Sequence, residues 1–139
     1  MTSSSAQTAL RAGLFQALDA DSVLEGLLGA GRLFDVVPHA QAFPYLVLET
    51  LESTPLLSDP EEGLEHLLSL AVFSRASGRG EASQAAERAR DVLLNGGIAF
   101  DGHRFVGLSA GAVSSRLLRD RRTFRAGVSL RAVTEPEAA

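Results

Sequence analysis

Leu10, Leu14 and Leu18 recur every four residues in an alanine-rich stretch, with Gln16 and Asp19 off the stripe. That spacing predicts an amphipathic helix over about residues 5–19. Ser22-Val23-Leu24-Glu25 has the S-x-x-E form of a capping box, with Ser22 as the cap, and Gly29 supplies a stop after Leu27 and Leu28, so a second helix follows at once. Both helices need an apolar surface to cover, and the next segments supply a sheet. Arg32–Val37 ends at Pro38, Tyr45–Glu49 follows Pro44, and His66–Phe73 lies between Gly63 and the Ser77-Gly78-Arg79-Gly80 turn, which reads as three strands. The connection Glu52–Gly63 is too long for a tight hairpin, so it is expected to project and to carry Leu56 and Leu57 outward.

From Glu81 the period becomes helical. Ala82, Ala85, Ala86, Ala89, Val92 and Leu93 fall on one stripe, with Gln84, Glu87, Arg88 and Asp91 opposite, and the run ends at Asn95-Gly96-Gly97; small alanines permit close packing on a sheet. Asp101-Gly102 is a turn signal between Ile98-Ala99-Phe100 and His103–Leu108, predicting a hairpin. In the last segment Phe124, Ala126, Val128, Leu130 and Ala132 alternate with Arg125, Ser129 and Arg131, the pattern of a half-buried strand. The order of segments gives an α+β fold: a mostly antiparallel sheet of four or more strands with helices packed on one face.

Length and composition narrow the classes. A chain of 139 residues that is 45% hydrophobic suits one domain over residues 1–139, with 1–4 and 134–139 as flexible ends. Every basic residue is Arg, and without Lys no P-loop, Schiff-base or pyridoxal-phosphate chemistry is available. The absence of Cys removes disulfides, thiolate zinc sites and cysteine nucleophiles. No secretory signal or membrane span is expected, because the apolar runs are short and broken by polar residues. Net charge is −4 but uneven: residues 1–70 hold two Arg against ten acids (−8), and residues 71–139 hold eleven Arg against seven acids (+4). Such polarity suits head-to-tail self-association or two different partners.

Candidate chemistry is sparse. Gly107-Leu108-Ser109-Ala110-Gly111 matches the G-x-S-x-G nucleophile elbow, yet His39, His66 and His103 all precede Ser109, whereas the elbow fold runs Ser, acid, His. A small serine hydrolase or ligand-binding enzyme using Ser109 or His66 stands as the alternative function. The histidines are far apart and form no H-x-x-x-H pair, so no metal site is expected, and His66 reads as a strand residue at a solvent or subunit face. Asp59, Glu61, Glu62 and Glu65 lie in or beside a Pro/Ser loop, where solvated acids are the simpler account. Arg116, Arg119, Arg121, Arg122 and Arg125 have only Phe124 among them as an aromatic, so an ion-pairing subunit face fits better than a DNA-reading one.

The order of segments carries a resemblance. Leu10–Leu18, Asp21–Gly29, Gly31–Pro38 and Phe43–Leu48, then Glu65-His66, Val72–Arg75, Gly80-Glu81-Ala82, Asp101–Val106 and Gly127–Ala132 are similar, in sequence order, to the tail completion or tail terminator proteins of long-tailed phages and gene transfer agents. The likeness spans nearly the whole chain; Phe73 stands where that family more often has Trp, and Ser109–Arg122 has no clear counterpart. The resemblance implies a structural protein without cofactor or metal, assembled in the bacterial cytoplasm. It implies a homohexameric ring that caps the tail tube and offers its other face to head-completion proteins, with DNA only passing through the lumen. On that reading Leu56, Leu57, Glu61 and Glu62 are expected to form an assembly arm. Arg116, Arg119 and Arg122 are expected to pair with acids of an adjacent subunit or tail partner.

Overall fold

The computed structural model describes residues 5–58, 63–96, 98 and 102–136. It opens with two helices, α1 (Ala6–Asp19) and α2 (Ser22–Leu28). Ser5 caps α1 by accepting from the Thr8 N–H at 3.1 Å. The cap of α2 is Asp21, one residue earlier than the capping-box pattern predicts: its Oδ2 accepts from the Leu24 N–H at 2.8 Å, which leaves Ser22 as the first helical residue. Asp21 is favoured because its second oxygen has a use. Arg88, on α3 (Gly80–Asn95), donates Nε to Oδ2 at 2.8 Å and Nη2 to Oδ1 at 2.6 Å, so one carboxylate both caps α2 and ties it to α3.

The strands are β1 (Leu33–Phe34), β2 (Tyr45–Pro55), β3 (Leu64–Ser74), β4 (His103–Ala110), β5 (Ser114–Leu117) and β6 (Phe124–Pro136). They form one sheet in the order β1-β2-β3-β6-β4, with β5 also on β6, and every pairing is antiparallel except that of β1 with Leu46 and Val47. The α+β class with helices on one face is borne out. Three boundaries differ from the sequence reading. The first strand shrinks to Leu33–Phe34. The second runs on to Pro55, through a register shift between Leu48 and Thr50, so Glu52–Pro55 belong to the ladder and the projecting connection starts at Leu56. The bulge explains the difference: the extra residue, Glu49, moves the inward phase from Leu46 and Leu48 to Leu51 and ends the visible alternation. The last strand reaches Pro136, and Thr134, in the stretch expected to fray, is 1% exposed. The described partner of β4 is β6; residues 99–101 of the expected hairpin lie outside the described residues.

β4 and β5 succeed each other along the same side of β6, interrupted at Gly111–Val113, and a turn over Leu118–Thr123 leads back into β6. One face of the sheet carries Leu46, Leu48, Leu68, Leu70, Val72, Ala126, Val128 and Leu130, all buried, and α3 packs over β3 and β6. Ala82, Ala85 and Ala89 of α3 are fully buried, since methyl side chains let the helix backbone approach the sheet. Among the described residues no helix covers the other face. Its centre is a row of small residues, Val47, Ala71 and Gly127, in register across three strands. Around it lie the ion pairs Glu49–Arg125 and Glu65–Arg131 and the Thr50–Ser69 hydroxyl bond of 2.7 Å. Phe73 stacks on Tyr45 with ring centroids 5.5 Å apart. Among the described residues no helix is long and apolar enough to cross a membrane.

Candidate functional site

The two residues behind the enzyme alternative are not brought together. Ser109 is exposed on the open face of β4, opposite Arg131. His66 is 0% exposed on the helix-covered face, in register with Ser53 and Ala132, which corrects its expected place at a solvent or subunit face. A polar chain replaces solvent there. Gln7 Nε2 donates to Ser53 Oγ at 3.0 Å, Ser53 Oγ lies 2.6 Å from His66 Nδ1, and His66 Nε2 lies 2.9 Å from Thr134 Oγ1. Both ring nitrogens are satisfied by hydroxyls, and burial, with a smaller contribution from His103, holds the imidazole pKa below its usual value. A Ser-His pair alone is not a hydrolase: the third member here is a hydroxyl that cannot stabilise an imidazolium as a carboxylate does. The arrangement keeps a neutral histidine in the core. No metal-binding cluster occurs among the described residues.

The described residues among those expected to mediate assembly separate to opposite ends of the sheet. At one end, Leu56–Ser58 form a short 3-10 turn beyond β2. Leu56 is half-buried and donates its N–H to Gly63 O at 2.9 Å, closing the β2–β3 ladder at its tip. Gly63 is required there, with φ +128° and the place of a Cβ only 2.8 Å from Thr134 O. Leu57 is 89% exposed with φ +50°, a left-handed conformation that costs about 1 kcal/mol in a non-glycine residue. The leucine pair thus divides, one packing and one projecting; Glu61 and Glu62 lie outside the described residues.

At the other end, Arg116 stands exposed on β5, and Arg119 and Arg122 are exposed in the turn before β6. None of the three has an ion pair among the described residues. The turn is built by Asp120, whose Oδ1 accepts from the Arg122 and Thr123 N–H groups at 2.9 Å each. The Thr123 hydroxyl first, and then those two N–H groups, bring the Asp120 carboxyl down to about 2. Arg121 takes φ +61° in the same turn. From the Pro55–Leu64–Thr134 row to the Tyr45–Phe73–Arg125–Arg116 row the sheet is about 30 Å long at the usual rise of a strand. Arg75 and Arg79 add to the basic end: Arg75 donates to Thr123 Oγ1, and the Arg79 guanidinium sits over Phe124.

The sequence reading missed the cross-sheet pairs Glu49–Arg125 and Glu65–Arg131. The alternation of Arg125, Ser129 and Arg131 carried half of that signal, but the bulge at Glu49 hid the other strand.

A model of the family described as tail completion protein gp17 matches residues 12–135. A search of the curated proteins finds no match. Among solved structures, the chain is similar to a chain from the virion of a native gene transfer agent particle, at 28% identity and TM-score 0.80, covering 95% of this chain and 99% of that one. It is also similar to the gp17 protein of bacteriophage SPP1, at 18% identity and TM-score 0.61 over 96% and 94% of the two chains, a likeness of fold.

Proposed function

Because the chain belongs to the tail completion protein gp17 family, we propose that it completes the tail of a phage or gene transfer agent particle, as a homohexameric ring that caps the tail tube and meets the head-completion proteins on its other side. The observation that carries this reading is the 28% identity, over nearly the full length of both chains, with a component of a gene transfer agent virion. The role is structural, and DNA only passes through the lumen. A ring needs head-to-tail contacts between unlike surfaces of one chain, and two distinct faces for two partners. Opposite ends about 30 Å apart, one with a projecting leucine and the other with unpaired arginines, suit that need. Leu56 and Leu57 act in assembly at one end, and Arg116, Arg119 and Arg122 at the other, with the tail tube protein, the head-completion protein or the next subunit as their partners; Glu61 and Glu62 are assigned to the same assembly role from the sequence.

The test is electron microscopy of particles lacking the protein. The reading expects headless tails of irregular, excess length, restored by the wild-type chain. Leu57→Asp and the triple Arg116→Glu, Arg119→Glu, Arg122→Glu variant should fail to restore joining while melting like the wild type, since these side chains are exposed and contribute little to folding. Tails of normal length joined to heads without the protein would refute the proposal.

A further inference from the structure

Among the described residues the outermost long strands of the sheet are β2 and β4. Among the described residues β1 covers β2 only at Leu46 and Val47, and no strand lies outside β4. Alternate residues of a strand point their N–H and C=O groups to opposite sides. Leu56 donates across the tip to Gly63, so Glu52 and Thr54 face β3, whereas Leu51 and Ser53 face outward. Pro55 shares the outward phase, where its missing N–H takes nothing from the ladder. Among the described residues one side-chain hydrogen bond reaches the backbone on that side, from Gln7 Nε2 to Leu51 O at 3.4 Å. At the other edge Gly111 donates to Ser129 O, so Ser109 faces β6, and Leu108 and Ala110 face outward. Each edge is regular between a bulge and its end, the bulges lying at Glu49 and Val106.

The edges also differ in charge. Tyr45–Pro55 holds Glu49 and Glu52 and no cation; residues 103–117 hold Arg104 and Arg116 and no acid. Glu49 and Arg104 are engaged with Arg125 and Glu135, while Glu52 and Arg116 have no ion pair among the described residues. Two copies of segment 50–54 laid antiparallel put Glu52 opposite Glu52, a repulsion that pairing of 50–54 with the uncharged segment 107–110 avoids. Direction fits as well. β2, β3, β6 and β4 alternate in direction, so a neighbour placed by rotation about an axis along the strands presents its β2 antiparallel to β4, with the same face of the sheet inward.

We propose that β2 of one copy pairs with β4 of the next, the segment 50–54 against 107–110, so that the sheet runs on from subunit to subunit. The closed symmetry rests on the ring reading above; the pairing itself rests on the two edges. Backbone bonds supply the attachment and the Glu52 charge disfavours pairing of the β2 edge with its own copy, the logic of strand addition to an exposed edge.

Amide hydrogen exchange of the full chain, free and assembled, tests the contact directly. The amides of Leu51, Ser53, Leu108 and Ala110 should exchange at least about tenfold more slowly in the assembled form, while that of Glu52, already turned toward β3, changes little. In sedimentation, Leu51→Pro and Ala110→Pro, each of which removes one outward-facing N–H, should each remain monomeric while keeping the circular dichroism of the folded chain. Assembly without slowing at those amides, or either variant assembling alone as the wild type does, overturns the edge pairing and leaves the ring standing. A wild-type chain that is monomeric at every attainable concentration and forms no ring on isolated tails overturns both.

Discussion

Replacing His66 by Ala removes an imidazole that is 0% exposed and empties a site between the Ser53 and Thr134 hydroxyls, 2.6 and 2.9 Å from its two nitrogens. Two effects add. Deleting a buried side chain of this size costs about 2–4 kcal/mol through lost contacts and the cavity, and each hydroxyl left without its partner adds up to about 1 kcal/mol after local rearrangement or entry of a water. The sum, about 2–6 kcal/mol, is a large share of the stability of an ordinary domain. Urea unfolding followed by circular dichroism reads it as a shift in midpoint at unchanged slope, with Ser109→Ala, on the exposed face, as a control within about 0.5 kcal/mol. The same residue sets a pH dependence. Burial holds the folded-state pKa of His66 below 6.5, so in acid the unfolded chain binds the proton that the folded chain resists. The contribution of His66 to stability is therefore complete above the unfolded pKa, is lost as pH falls from there through the folded pKa, and changes by at most about 1.4 kcal/mol per pH unit. His66→Gln should lack this component, so its unfolding free energy should fall less than that of the wild type between about pH 7 and about pH 5. Equal pH slopes in the two proteins, or a loss below about 1 kcal/mol in His66→Ala, would refute the reasoning.

Ala89 is 0% exposed on α3, and Ala89→Arg should place an unpaired charge against the sheet and destabilise by about 3–5 kcal/mol; a native-like melting temperature would count against the packing described. Asp21→Ala removes the cap of α2 and the carboxylate that holds Arg88, at a cost of about 1–2 kcal/mol for the cap, and Asp21→Asn should recover most of the capping without the charge, as urea titration can measure. Asp120 should titrate in the folded protein near pH 2, below an ordinary aspartate. Its stabilisation of the turn is complete above the ordinary carboxylate pKa and is lost as pH falls through about 2. NMR of the side-chain carboxyl carbon measures the midpoint, and Asp120→Ala should speed amide exchange at Thr123 without altering the core.

The sequence by itself determined the two-layer plan. The four-residue leucine spacing of α1, the alanine stripe of α3 and the alternation of β6 each state which side must be covered, because burial of apolar surface dominates the energy and its period is fixed by local geometry. It also determined what chemistry was out of reach, since Lys and Cys are missing from the chain altogether. Where a single inserted residue changes the phase, at Glu49, the pattern stops being readable, and the far end of β2, Glu52–Pro55, reads as part of the connection to the next strand. Partner choice lay beyond any local pattern. Ser22 and Asp21 are both good caps, and the decision fell to Asp21 because Arg88, distant in sequence, arrives at its other oxygen. His66 became a core residue because Gln7, Ser53 and Thr134, from three separate elements, supply the polar partners that burial demands. The same holds for the surfaces: net charge by sequence half hinted at polarity, but only pairing of strands decides which backbone edges stay open and which charges remain unpaired, because both depend on contacts between residues far apart along the chain.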